Sequence, residues 1–489
     1  MSRINSNVSS LVAQRHLGLS QQSLTKSLER LSSGLKINRG ADDPAGLIVS
    51  ERLRSEIAVV EQAIDNSARA INVIATTEGA LDEVQSLLTD IQALMVEAAN
   101  SGAFSDDEIA ANQLQIDNAI DSITRIANTT TFAGRKLING ELDYVTSGIS
   151  ATKLADVNVQ AAKFGTKPFV GVDISVLQSA QQAQLSYAAA QLTGSGATLE
   201  IRGPEGVITL SFPASATTVQ MAASINAESD STGVMAVTSG AGGVNGIRFV
   251  SVEYGSDAFV SVSKFPPTST STFSVMDRLG ATVTRTQGRD AIATVNGIAA
   301  SADGLELSFS SSLLKLEVVL SEAFGSGSLG LQNALGTSSF AITQGGALFQ
   351  LGPQVNTNQQ ENIGVKSMQA NRLGNAIVGY LSDLKTGQSR SLSTGRFPEA
   401  SKIVEETITQ VAVLRGRLGA FERNTLQPNI SQLQITTENL TSSESVIRDT
   451  DFATETSELT RAQILVQAGN SILAIANAQS QNVLKLLGA

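Results

Sequence analysis

His16 is the only histidine in the chain, and there is no cysteine. A Ser-His-Asp relay would have to be built on that one imidazole, and a metal site needing two histidines cannot exist. Without thiols there is no disulfide scaffold, no Cys-ligated zinc and no thiolate nucleophile. His16 follows Arg15 in an amphipathic N-terminal stretch, the setting of an ordinary surface or interface histidine. Two acidic clusters, Asp42-Asp43 and Asp106-Asp107-Glu108, each precede an apolar-periodic run. Carboxylates placed there cap a helix and complement its dipole more economically than they bind a cation. No G-x-G-x-x-G is set between a strand and a helix and no G-x-x-x-x-G-K-[ST] occurs, which leaves nucleotide binding without support. The residues predict no catalytic centre, no metal site, no cofactor and no enzyme.

Composition points the same way. At 489 residues the chain exceeds one hydrophobic core, so several domains are expected. Charged residues make up 16 % and aromatics 4 %, with no Trp, so Ser, Thr, Asn, Gln, Ala and Gly must build the surface. A net charge of -11 with no Lys/Arg stripe argues against nucleic acid. No uncharged apolar run reaches the ~18 residues of a membrane span, so no membrane insertion is expected. Met1 to Ser10 carries Arg3, Asn5 and Asn7 where a cleaved secretory signal needs an apolar core. On that ground alone the protein is cytoplasmic, unless it is exported with an uncleaved signal.

The elements that must position these residues fall into an α+β multidomain pattern: helical ends around an inserted, mainly β region. Val8, Leu11 and Val12 lead into a seam of Leu17, Leu24, Leu28, Leu31 and Leu35 at heptad-like intervals. So thin a seam does not hold an isolated helix in water, and the free arm is expected to be unfolded. Gly34 to Gly46 reads as a linker, with Asp43 capping a helix that starts at Pro44 and runs to about Asn100. Ile71, Ile74, Leu81, Val84, Leu88, Ile91, Met95 and Ala98 form its seam, and Ser105 to Glu108 caps a second helix. The Asn139-Gly140 pair predicts a hairpin over about 131–150.

Residues 150–343 alternate in strand fashion, with a short helix expected at Val219 to Ala227 and a turn at Asn296-Gly297. Helical spacing returns from about 397, with Pro428 marking a kink or a new segment. Breaks are expected at Ser442 to Ser445 and Arg448 to Asp451. A last helix carries Leu459, Leu465, Val466, Ile472, Leu473, Ile475 and Val483. The expected partition is a core helix over 1–42 pairing with another over 450–489, a rod-like part over 43–150 and 344–449, and one or two outer modules over 151–343. Thin terminal seams point to burial against further copies of the chain.

Both ends also carry motifs. The runs Met1-Ser-Arg-Ile-Asn-Ser-Asn7, Leu31-Ser-Ser-Gly-Leu-Lys-Ile-Asn38, Asp42-Asp-Pro-Ala-Gly-Leu47 and Ser50-Glu-Arg-Leu53 resemble bacterial flagellin. So do Ile447-Arg-Asp-Thr-Asp-Phe-Ala453, Arg461-Ala-Gln-Ile-Leu465, Gln467-Ala-Gly469 and Leu486-Leu-Gly-Ala489. The resemblance spans about the first 140 and last 100 residues, in the right order.

It implies a filament subunit: terminal helices paired as a coiled-coil core, a helical spoke and a projecting insertion, secreted to the extracellular flagellum without a cleaved signal peptide. It further implies a homo-polymer for swimming motility, flagellar cap and hook-associated proteins as partners, a cytoplasmic chaperone on the C-terminal helix and a type III export apparatus. Val446 departs from the family's usual Arg. At the surface gripped by the flagellin-sensing Toll-like receptor, Asp90 stands for an Arg and Gln115 for a Glu, while Leu94 matches, so receptor binding should be weak. A hook-filament junction protein and a surface adhesin are the rival readings. Few aromatics argue against sugar stacking.

Overall fold

The computed structural model describes residues 7–100, 102, 105–165, 167–189, 191–192, 196–239, 246–265, 273–325 and 336–487, with side chains described as far as residue 479. The helices of eight residues or more among these are α1 (Val8–Ser33), α2 (Pro44–Ala99), α3 (Asp106–Thr129), α4 (Thr218–Asn226), α5 (Phe397–Phe421), α6 (Gln427–Arg448) and α7 (Phe452–Leu487). The chain divides into two compact units. One holds the chain up to Arg69, Leu351–Val355 and everything from Thr425; the other holds Ala70–Gln350 and Asn356–Asn424. The architecture is α+β, helical at both ends and mainly β between.

In the second unit, helices bury apolar stripes, which for α2 follow most of the spacing read from the sequence. Leu81, Val84, Leu88, Ile91, Met95 and Ala98 of α2 are almost inaccessible, as are Ile116, Ile120, Ile123 and Ala127 of α3 and Ile403, Val404, Val411 and Leu414 of α5. Each such Leu or Ile contributes about 1.5–3 kcal/mol by leaving water. An Arg415–Asp82 ion pair at 3.0 Å ties α5 to α2. The α3 start is fixed by a capping box. Ser105 Oγ accepts from the Glu108 N–H, and the Glu108 carboxylate accepts from the Ser105 N–H at 2.8 Å. Those bonds hold Glu108 below its usual pKa.

Two turns differ from expectation. The tight hairpin joins Thr131–Phe132 to Arg135–Lys136 through Ala133-Gly134, whose φ angles are 49° and 83°. Asn139-Gly140 is a different turn, because the Asn139 side chain captures the Glu141 N–H at 3.0 Å. Between α5 and α6 lies a π-helical turn, Glu422–Leu426. Its wider winding accommodates Pro428, which lacks an N–H and crowds the preceding carbonyl. The break expected before the last helix is present at Asp449–Asp451, with the next helix starting at Phe452, and does not extend back to Ser442 to Ser445, since α6 continues to Arg448. Ser443 Oγ donates back to the Asn439 carbonyl at 2.7 Å and is satisfied inside the helix. Asn296-Gly297 forms the expected turn, at φ 51° and 80°.

The inserted region contains two β modules, one nested in the other. In the first, a five-stranded sheet runs in the order Ile298–Ala299, Ile292–Val295, Val170–Gln178, Gly336–Gly345, Tyr144–Ser147. A four-stranded sheet, Ser301–Asp303, Glu306–Ser310, Leu314–Leu320 and Leu154–Ala162, shares its core. Tyr144 is buried there, its hydroxyl donating to the Asn362 carbonyl and accepting from the Ala162 N–H, and burial pushes its pKa up to about 12. The second module has sheets Arg285–Gln287, Phe259–Lys264, Ala197–Arg202, Val207–Phe212 and Gln184–Tyr187, Gly246–Ser251, Val234–Ser239, with α4 against its core. Only two segments join the modules. They pair where Gln181 and Arg289 exchange backbone hydrogen bonds of 2.7 and 2.8 Å.

Candidate assembly interface on the terminal helices

Within the first unit, α1 and α7 lie against each other. The Asn7 side chain donates to the Ala476 carbonyl at 2.9 Å, and Ser10 Oγ meets Asn477 Oδ1 at 2.9 Å. Leu17 covers Gly469, where an added Cβ would stand 3.1 Å from Leu17 Cδ1. Arg30 pairs with Glu455 at 3.3 Å. Partners on α7 fall in number as those on α1 rise, so the pair is antiparallel.

The contact line is a heptad of alternating size. Ser10, Ala13 and Ser27 are the buried residues of α1, with Leu17, Leu24 and Leu31 half-buried between them. On α7, Glu455, Ala462 and Ala476 are buried, and Leu459, Val466, Gly469 and Leu473 half-buried. Where Leu17 meets Gly469, a large side chain sits over a small one, as a knob over a hole. Sequence reading named the leucines and missed the small residues. Their signal was present: Ser, Ala and Gly recur at the same 3- and 4-residue steps between the leucines.

The other predicted residues do not join this line. Val8, Leu11, Val12 and Leu28 are exposed on α1, and Leu465, Ile472 and Ile475 on α7, together with Leu19 and Ile464. Leu35 is half-buried and bridges Asp449. The Val483 side chain lies outside the described residues. Each terminal helix therefore shows two apolar stripes, one closed within the chain and one open.

The link after α1 is folded. Lys36 N–H donates to the Arg448 carbonyl at 2.7 Å and Thr450 N–H to the Gly34 carbonyl at 2.9 Å. Asp42 pairs with Lys26 at 2.9 Å and accepts from the Asn38 and Arg39 N–H groups. The Lys26 bond and those N–H groups hold its pKa near 2. Asp43 caps α2 through the Gly46 N–H at 2.9 Å. Farther along, α2 and α6 share a small core of Val60, Ala63 and Leu433, closed by Arg448–Glu51 at 2.9 Å and Asn429–Ser67 at 3.1 Å.

Elsewhere the chemistry is sparse. His16 is exposed on α1. A cavity of about 370 Å³ lies among Asp156, Glu306, Glu317, Lys366, Glu406 and Arg417. Lys366 pairs with Asp156 there, and Arg417 donates to the Gln160 carbonyl at 2.9 Å. Among the described residues no three His, Cys, Asp or Glu side chains gather as a metal site, and no helix is long and apolar enough to cross a membrane. Asp90 and Gln115 are exposed on α2 and α3, and Leu94 is half-buried.

Comparison with known proteins supplies the family. The bacterial flagellin N-terminal helical region matches residues 4–143, and the C-terminal helical region matches residues 401–487. A flagellin of Salmonella rubislaw is 30% identical over 507 residues, covering 99% of both chains. A flagellin of Salmonella typhimurium is 30% identical over 508 residues at the same coverage. Flagellin E of Vibrio cholerae is 28% identical, covering 99% of this chain and 98% of that one. Among solved structures, the D2-D3 domains of the Escherichia coli flagellar cap protein cover 41% of this chain at 19% identity and a TM-score of 0.28. With the family's helical regions at both ends and relatives aligned along its whole length, the chain belongs to the bacterial flagellins.

Proposed function

We propose that this flagellin polymerises into the extracellular flagellar filament through the open stripes of α1 and α7, serving motility as a structural subunit and not as an enzyme. One observation carries the reading: in the single chain Val8 and Leu11 remain 61% and 60% exposed and Ile475 67% exposed, in a helix pair that buries mainly small residues. Copies of the same chain cover those stripes. Many weak seams then act together, so that subunits binding poorly in pairs give a stable polymer.

The thinness of the closed line also suits passage through the type III export apparatus. Few buried contacts hold the arms, so the termini unfold at low cost, travel with no cleaved signal, and refold beneath the cap protein at the filament tip. The cytoplasmic chaperone engages α7 before export, and hook-associated proteins meet the finished end through like helices. Leu28→Asp should abolish polymerisation, seen by electron microscopy and sedimentation, while thermal melting of the rest stays unchanged. Filaments of ordinary stability from that variant would refute the assignment of Leu28.

At the receptor surface, Asp90 and Gln115 beside Leu94 place the wrong charge and a neutral amide before a basic-and-acidic reader. Activation in a reporter assay should be weak, and full potency would overturn this reading.

A further inference from the structure

The neck between the two outer modules gathers three guanidinium groups, two of which add their charge to the third. Arg289 lies on one neck segment, Arg278 on a loop beside it, and Arg248 on the strand Gly246–Ser251, opposite Ser186. Ser186 in turn bridges Met276, two residues before Arg278. Arg289 donates to the Ser179 carbonyl at 3.1 Å, and Arg278 to Gln184 Oε1 at 3.4 Å. In the amide orientation that satisfies both ends, Gln181 offers one oxygen to both cations, at 3.1 Å from Arg289 and 3.2 Å from Arg278. Gln178 accepts twice more from Arg289.

Acids adjacent in sequence are turned away. Asp277 accepts from the Leu279 and Ala281 N–H groups, and Asp290 from those of Ser256 and Gly304. Among the described residues none of the three arginines forms an ion pair, although most other half-buried arginines do; Arg248 and Arg289 are half-buried, Arg278 is exposed, and Arg248 Nε is buried with no partner. Burial, then the charges of Arg289 and Arg248, hold Arg278 below its usual pKa. Like charges gathered beside neutral amides and a carbonyl, with the Arg248 Nε unpaired, are the setting in which guanidiniums take up an anion.

We propose that this neck is an oxyanion site, in which Arg248, Arg278 and Arg289 bind a sulfate- or phosphate-type group with the Gln178, Gln181 and Gln184 amides ordering the guanidiniums. Planar guanidiniums suit such groups because each offers paired donors to two oxygens. Bound there, the anion bridges a neck segment to the nested module and stiffens their junction. The site has no part in the assembly stripes and does not depend on them.

The test is isothermal titration of the full-length monomer with sodium sulfate, sodium phosphate and a sulfated disaccharide, each against sodium chloride at equal ionic strength. Saturable binding is expected, weakened about tenfold or more in Arg278→Gln, since a charge-assisted contact is lost. Arg278 is exposed at the surface, so the variant should keep its fold, checked by circular dichroism. Arg135→Gln, an equal charge change far along the chain, should leave affinity unaltered. Tight binding of the disaccharide alone would assign the oxyanion to a glycan ester, and binding of the inorganic ions to a free anion. No heat beyond the chloride control, or equal affinities for wild type and Arg278→Gln, would overturn the site.

Discussion

Asp42 shows how much a single carboxylate can hold in a short link. Its oxygens join Lys26 of α1 to the N–H groups of Asn38 and Arg39, and its pKa falls from 3.8 to about 2. A depressed carboxylate stabilises the fold fully above its unfolded value. The contribution therefore fades as pH drops from about 3.8 through about 2. Asp42→Asn should lower the melting temperature at neutral pH and make little difference near pH 2. An equal loss at both values would show that the charge is not what matters. Sequence reading placed Asp42 and Asp43 together as caps. Only Asp43 caps α2, and the Lys26 partner was not visible because it lies a turn and a link away.

Among the elements, the helices and many single strands of the insertion were legible, and the order in which those strands pair was not. A helix states its buried face every three or four residues, so the stripes of α2 and α3 and the cap at Ser105 could be read locally. Ile120 and Leu114 share α3, yet one is 1% exposed and the other 62%. Ile120→Ala should cost roughly 2–5 kcal/mol and Leu114→Ala within about 0.5 kcal/mol in denaturant unfolding of the monomer. Similar costs would mean the buried face is misassigned. Strand order carries no such local statement. Nothing near Val170–Gln178 tells it to pair with Gly336–Gly345, some 160 residues on. The Ala133-Gly134 turn was hidden for another reason: alanine seldom adopts a positive φ, whereas Asn139-Gly140 advertises one. Gly469, packed against Leu17, is silent in a periodicity of large side chains.

In the whole molecule the nested module hangs from two paired segments. Replacing residues 182–288 by an Asn-Gly turn should leave the Gln181–Arg289 pairing intact as a two-residue hairpin, with the remaining protein folded and still able to polymerise. Loss of the remaining thermal transition would show that the module supports its host. The same arrangement recurs one level out. The insertion leaves through Tyr144–Ser147 and returns through Gly336–Gly345, and those strands are neighbours, Ser147 opposite Ala341 and Tyr144 opposite Gly345. A chain whose exit and re-entry already touch adds only about 0.6 kcal/mol of closure entropy for each doubling of what lies between. A lineage can thus duplicate, enlarge or exchange what lies between those two strands without altering the helices at either end of the chain.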